Sequence, residues 1–181
     1  RQRQMCIRDS YDNITTTGTD SGGVQTEIDI NGAVVLEDAV VITSTGGNID
    51  FSSTIKSDST ARNFTISSGA GTVNIVGNIG GSGTTDLAAI DINASAGAGN
   101  ITLGGDIGTD AISGATTIDI GNAATGTLSL DGAEYSSTGI QTFTADAFDL
   151  AGTDPTFSTA GVNINFVDGG ATANLILGNA A

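Results

Sequence analysis

Two aspartates occupy the same place in consecutive repeats of this 181-residue chain, Asp91 in Ile90-Asp91-Ile92 and Asp119 in Ile118-Asp119-Ile120. Paired carboxylates are what inverting glycosidases use to split a sugar bond, one giving a proton and the other activating water across about 6.5 to 9.5 Å. Stacked strands lie about 4.8 Å apart, so outward carboxylates one repeat apart repel, weaken the stack slightly and invite a cation. Little else in the chain supports catalysis. It has no His, which removes any triad built on one. After position 10 the only basic residues are Lys56 and Arg62, too few to hold an acidic polysaccharide in a lyase site. A solvated acidic ladder is the preferred reading of the pair. No catalytic, cofactor-binding or metal-ligating residue is nominated, and a carbohydrate-active β-helix enzyme, a polysaccharide hydrolase or lyase, stands as the alternative.

Acidic side chains also raise calcium, because hard cations collect several oxygen ligands. Gly80 to Leu87 reads GGSGTTDL and resembles the glycine-rich nonapeptide that binds calcium in secreted repeat proteins. One extra Thr displaces Asp86 from the aspartate position, and the motif occurs once where such sites form between tandem copies. An ordinary glycine-rich turn is expected there, with no cofactor beyond weak, diffuse calcium binding by the acidic surface. Five Lys plus Arg against 20 Asp plus Glu leave a formal charge of -15, which excludes a nucleic-acid partner held by clustered cations and a basic membrane-surface patch. No apolar run approaches the roughly 18 residues of a membrane-spanning helix. The 27 glycines build no phosphate loop, since no strand, glycine turn and amphipathic helix occur in order. Positions Val41, Thr65, Asp91 and Asp119 are too mixed for the regular Thr ladder of an ice-binding face.

The elements that carry these residues repeat. One unit is an apolar dyad, a glycine-rich turn, a second dyad and a further apolar residue: Phe64 and Ile66, Gly69 to Gly71, Val73 and Ile75, then Ile79. The first dyads begin at 40, 64, 90 and 118 and the second at 49, 73, 101 and 128, so the markers drift together in steps of 24 to 28. Ile28, Ile30 and Val34 repeat half a unit upstream, and Ile14 is a remnant of one before it. Downstream, Phe143, Phe148 and Leu150 form a shortened unit, and Val162 and Ile164 with Leu175 and Leu177 form another. Asp154, Pro155 and Thr156 break the period, which predicts a bulging loop, since proline cannot donate to a ladder.

A polar residue separates the apolar pairs at Thr65, Asp91, Asp119, Asn74, Thr102 and Ser129. Period two with Ile, Val and Thr means short strands with one wet face. Three short strands per repeat predict an all-β, right-handed parallel β-solenoid of about 24 to 28 residues per coil, the hand following the general rule for parallel crossovers. Val40, Phe64, Ile90 and Ile118 then form one inward ladder. Ile49, Val73, Ile101 and Leu128 form a second, and Ile55, Ile79, Ile107 and Tyr135 a third. An antiparallel sandwich also has frequent turns but predicts no common drift.

Asn100 to Gly108 (NITLGGDIG), Ile118 to Leu130 (IDIGNAATGTLSL) and Gly139 to Leu150 (GIQTFTADAFDL) together resemble the strand repeats of large secreted bacterial adhesins of the filamentous-haemagglutinin type. The resemblance covers about residues 24 to 178 and is compositional. It implies a β-helix, export to the outer surface as in autotransporter stalks, and an adhesive or spacer role in cell adhesion. The expected partners are glycans or proteins of host or neighbouring cells, with end-to-end self-association through open solenoid ends.

The first ten residues, RQRQMCIRDS, hold three of the five basic residues, the only Met and the only Cys. They resemble a translated sequencing adaptor and are expected to be a non-native tail. Residues 11 to 181 are then the solenoid array, incomplete at both ends, with two basic and nineteen acidic residues.

Overall fold

A computed structural model of the chain describes residues 14–16, 27–80, 86–108, 115–150, 154–170 and 174–177. The chain cycles through three faces. The opening strands are β1 (Ile14–Thr16), β2 (Ile28–Ile30) and β3 (Val34–Leu36), followed by β4 (Val40–Ser44), β5 (Ile49–Phe51) and β6 (Ile55–Ser57). Next come β7 (Phe64–Ser67), β8 (Val73–Ile75), β9 (Ala89–Ile92) and β10 (Ile101–Leu103). In these two coils the third face narrows to the single residues Ile79 and Ile107. Then follow β11 (Thr117–Ile120), β12 (Thr127–Leu130) and β13 (Glu134–Ser137), then β14 (Gln141–Ala145), β15 (Ala147–Leu150) and β16 (Thr156–Thr159). The last are β17 (Ile164–Asp168) and β18 (Asn174–Leu177).

Every pairing joins a strand to its equivalent in the neighbouring coil, and every pairing is parallel. The first face stacks β1, β4, β7, β9, β11, β14 and β17; the second stacks β2, β5, β8, β10, β12, β15 and β18. The result is a parallel β-solenoid of about six turns, and no helix occurs among the described residues. All three predicted ladders stand in register, Val40 on Phe64, Ile90 and Ile118, Ile49 on Val73, Ile101 and Leu128, and Ile55 on Ile79, Ile107 and Tyr135.

The core exists because strand side chains alternate. Central strands alternate buried and half-exposed residues, with apolar residues on the buried side. Burying one aliphatic side chain contributes about 2 kcal/mol, too little for one coil to offset its own chain ordering. Stacking lets each ladder member be covered from both sides. Corners turn on residues that accept left-handed backbone. Asn93 (φ 55°) and Gly121 (φ 77°) follow the paired residues Ile92 and Ile120, and only Gly, Asn and Asp enter that region at little cost.

Three expectations need correction. Coils average about 23 residues because some steps are shorter, Ile28 and Ile49 being paired 21 apart and Leu128 and Phe148 20 apart. Short turns suffice there, whereas glycine-rich excursions lengthen the middle coils. The late dyad is Ile164 and Phe166, not Val162 and Ile164, since Ile164 pairs with Gln141 and Phe166 with Phe143. A buried Gln141 in an inward position hides that register, because it breaks the apolar pattern. Finally, Thr156 is not part of a bulge. Its N–H bonds the carbonyl of Ala133 at 2.9 Å and β16 runs on from it in register with β13. Pro155 precedes the strand, where no N–H is required.

Candidate functional site

The outward row of the first face runs Val41, Thr65, Asp91, Asp119, Thr142 and Asn165. The two aspartates singled out by spacing are therefore neighbours on adjacent strands. Their surroundings differ. Asp91 is tied to its own turn, Oδ1 accepting the Ala94 N–H at 3.1 Å and Oδ2 the Ser95 hydroxyl at 3.3 Å. Asp119 stands on the exposed side of its strand, and partial desolvation by its surroundings first, then the charge of Asp91, raises its pKa above the ordinary carboxylate value. Asp131 repeats this at the end of β12, its pKa raised by burial and then by Asp149.

Lys56 and Arg62, the two cations among the described residues, do not serve these pairs. Arg62 forks onto Asp58 through Nε at 3.2 Å and Nη2 at 3.1 Å, with Asp38 at 3.9 Å. That hydrogen bond, and the Thr60 N–H after it, hold the Asp58 carboxyl below its usual range. Lys56 lies on β6, in register with Val35, on a different face from Asp91 and Asp119. The pair sets two like charges on neighbouring strands, and among the described residues neither Lys56 nor Arg62 is placed with it.

The glycine-rich stretch at Gly80 is a turn at its described end. Gly80 is left-handed (φ 75°), and a Cβ there would meet Asp86 Oδ1 at 2.9 Å. Residues 81–85 of the calcium-like motif lie outside the described residues, while Leu87 is buried. No group of three or more His, Cys, Asp or Glu gathers to hold a metal among the described residues. Residues 1–10, with Cys6, also lie outside them.

A set of working side chains escaped the sequence reading. Asn48, Asn63, Asn78 and Asn100 each sit just before an inward apolar residue. Each bonds two neighbouring coils. Their main-chain carbonyls accept the N–H groups of Ile28, Val40, Ile55 and Val73 from the coil before. Their side-chain Oδ1 atoms accept those of Thr72, Ala89, Asp106 and Thr127 from the coil after, at 2.9 to 3.2 Å. Asp106 continues the series, its Oδ1 taking the N–H groups of Ala133 at 2.6 Å and Glu134 at 3.0 Å. The signal was present in the recurring Asn before Ile or Phe.

No helix among the described residues is long and apolar enough to cross a membrane. No protein-family model, curated protein or solved structure matches the chain.

Proposed function

We propose that the chain is a structural, non-catalytic rod of a secreted or cell-surface, adhesin-like protein, a stalk or adhesive segment that meets glycans or proteins of host or neighbouring cells. The observation that carries this reading is the use of outward and corner polar groups to join coils. Asn48, Asn63, Asn78, Asn100 and Asp106 are all engaged by main-chain N–H groups of the next coil, and Asp91 is engaged by its own turn. Side chains held this way build a continuous rod, whose length grows without a larger core. The resemblance of the repeats to exported adhesins supports the location.

One observation favours the carbohydrate-active alternative, namely the raised proton affinity of Asp119 beside Asp91, the electrostatic pattern of an acid and its partner. A single experiment separates the readings. The purified chain is incubated with neutral and acidic polysaccharides while new reducing ends and unsaturated uronate absorbance are followed, and it is displayed on immobilised glycans and cell-surface proteins in parallel. Retention without cleavage supports the rod. Sugar release that disappears in Asp119→Asn establishes the enzyme instead.

A further inference from the structure

The chain passes from the second face to the third through a corner of three residues. These corners are Asn31 to Ala33, Ser52 to Thr54, Val76 to Asn78, Gly104 to Asp106 and Asp131 to Ala133. The first residue of the corner is exposed in each of them, including Ser52, Val76 and Gly104, which have coils on both sides. Asn31 is exposed in the same way, so its exposure comes from its place in the coil.

Bonds between coils use the two ends of this corner. The N–H groups of Ser52, Val76, Gly104 and Asp131 donate to the carbonyls of Ile30, Phe51, Ile75 and Leu103. The carbonyls of Thr54, Asn78 and Asp106 accept the N–H groups of Val34, Ile55 and Ile79. The middle N–H takes no part in this pattern. Gly132 donates its own to the Tyr135 hydroxyl at 2.9 Å, whereas neither the Gly32 N–H nor the Asn31 side chain bonds any described residue. Asn31 is also the one Asn followed by Gly, every other Asn preceding Ala, Ile, Leu or Phe. Glycine has no Cβ to crowd its nitrogen, and its backbone rotates with little restriction.

We propose that Asn31 and Gly32 form a self-modifying site, at which the folded chain loses the Asn31 side-chain amide and converts to aspartate and isoaspartate. The Gly32 amide gives its proton to hydroxide, and its nitrogen bonds Asn31 Cγ. The Cγ–Nδ2 bond then breaks and ammonia leaves, taking a proton from water. Water opens the resulting five-membered succinimide at either carbonyl. Attack at Cγ gives aspartate; attack at the main-chain carbonyl carbon leaves Gly32 attached through Cγ, which is isoaspartate. Water is the only co-reactant. Each product adds a carboxylate two residues from Asp29, which already faces Asp50 on the neighbouring strand. Isoaspartate also adds one carbon to the main chain between two ties to the next coil, the Ser52 N–H on the Ile30 carbonyl and the Val34 N–H on the Thr54 carbonyl. This inference goes beyond the rod reading and does not depend on it.

Peptide mapping of the full chain tests it. The folded chain is kept at pH 8 for several days beside a sample in concentrated urea. The peptide holding Asn31 is then weighed and read by electron-transfer fragmentation, which separates isoaspartate from aspartate. In the folded chain this peptide should gain one mass unit at a rate close to that in urea, and the rate should rise with pH because hydroxide uncovers the nucleophile. Peptides holding Asn48, Asn63, Asn78 and Asn100, whose Oδ1 atoms accept N–H groups of the next coil, should keep their mass. Asn31→Gln should stop the gain, since its longer side chain must close a larger ring, and Gly32→Ala should slow it several-fold. An Asn31 that stays intact in the folded chain overturns the proposal, whether or not the sample in urea reacts. So does a gain shared evenly with the other asparagines, because the corner would then confer nothing.

Discussion

Asn93 and Ser68, one coil apart, exchange two hydrogen bonds in the interior. The Ser68 N–H donates to Asn93 Oδ1 at 2.9 Å and Asn93 Nδ2 donates to Ser68 Oγ at 2.9 Å, while that hydroxyl donates to the Gly71 carbonyl at 2.6 Å. Both residues are fully buried. Asn93 also turns the corner in left-handed backbone at φ 55°. One side chain therefore satisfies the buried polar groups of a corner and accepts the backbone shape that the corner needs.

Replacing Asn93 separates the two roles. Asn93→Gly keeps the left-handed turn but leaves the Ser68 N–H unpaired, at a cost of about 1 to 3 kcal/mol. Asn93→Ala adds the left-handed strain of about 1 to 2 kcal/mol. Urea denaturation should rank wild type above Gly and Gly above Ala. An Ala variant as stable as the Gly variant would show that the corner relaxes.

The glycine ladders predict a sharper contrast. A Cβ on Gly99 would fall inside contact distance of the Gly71 carbonyl oxygen, which belongs to rigid backbone one coil below, whereas a Cβ on Gly161 meets nothing within 4 Å. Gly99→Ala must push two coils apart and should cost about 3 kcal/mol, the upper range for overpacking. Gly161→Ala carries only the strain of its left-handed backbone (φ 85°), about 1 to 2 kcal/mol. Thermal melts of the two variants, compared at equal concentration, check the order.

Much of the architecture was legible because inward residues are apolar and two apart, so that Val40, Phe64, Ile90 and Ile118 announce their stacking. Where an inward place holds a polar residue the signal fails. Gln141 is buried, its Nε2 donating to the carbonyls of Tyr135 and Ser158 at 2.8 Å, and its polarity moved the expected downstream dyad by two residues. Pro155 was taken to interrupt the array because proline breaks ladders, but the residue before a strand needs no donor. The acidic ladder was readable from spacing. The inequality of its members was not, because the anchoring of Asp91 by Ala94 and Ser95 depends on how the next turn folds back.

Tyr135 replaces the aliphatic residue of the third ladder and brings a hydroxyl into the core. That hydroxyl accepts the Gly132 N–H at 2.9 Å and donates to the Leu103 carbonyl at 3.4 Å, while the ring stacks on Phe157 with centroids 5.1 Å apart. Tyr135→Phe keeps the stacking and orphans the Gly132 N–H, for a loss of about 1 to 2 kcal/mol. Burial pushes the phenol well above its ordinary pKa. In a spectrophotometric titration of the Tyr11→Phe chain, which leaves Tyr135 as its one tyrosine, Tyr135 should ionise at alkaline pH only as the chain unfolds, with absorbance and circular dichroism changing together. Ionisation that precedes unfolding would place the hydroxyl in contact with water.

Asp119 gives the pH prediction. Its folded pKa is raised by partial desolvation and by the Asp91 charge, so the folded chain holds this proton more tightly than the unfolded one does. The group's contribution is therefore most favourable below the unfolded carboxylate pKa, and stability is lost as pH climbs through the raised folded value. Above both values the charged form remains a liability, about 0.2 to 1 kcal/mol for like charges directly opposed on neighbouring strands. Asp119→Asn removes it. The variant should be more stable than wild type at pH 7, and the difference should close as pH falls below the 3.8 of an unperturbed Asp. Asp58 runs the opposite way, since Arg62 lowers its pKa and its contribution fades as acid protonates it. Because Asp58 is common to both proteins, it cancels when the pH profile of the variant is subtracted from that of wild type. Denaturation midpoints measured from pH 3 to pH 8 decide the matter. A difference that persists unchanged in acid would mean that the two aspartates do not interact through charge.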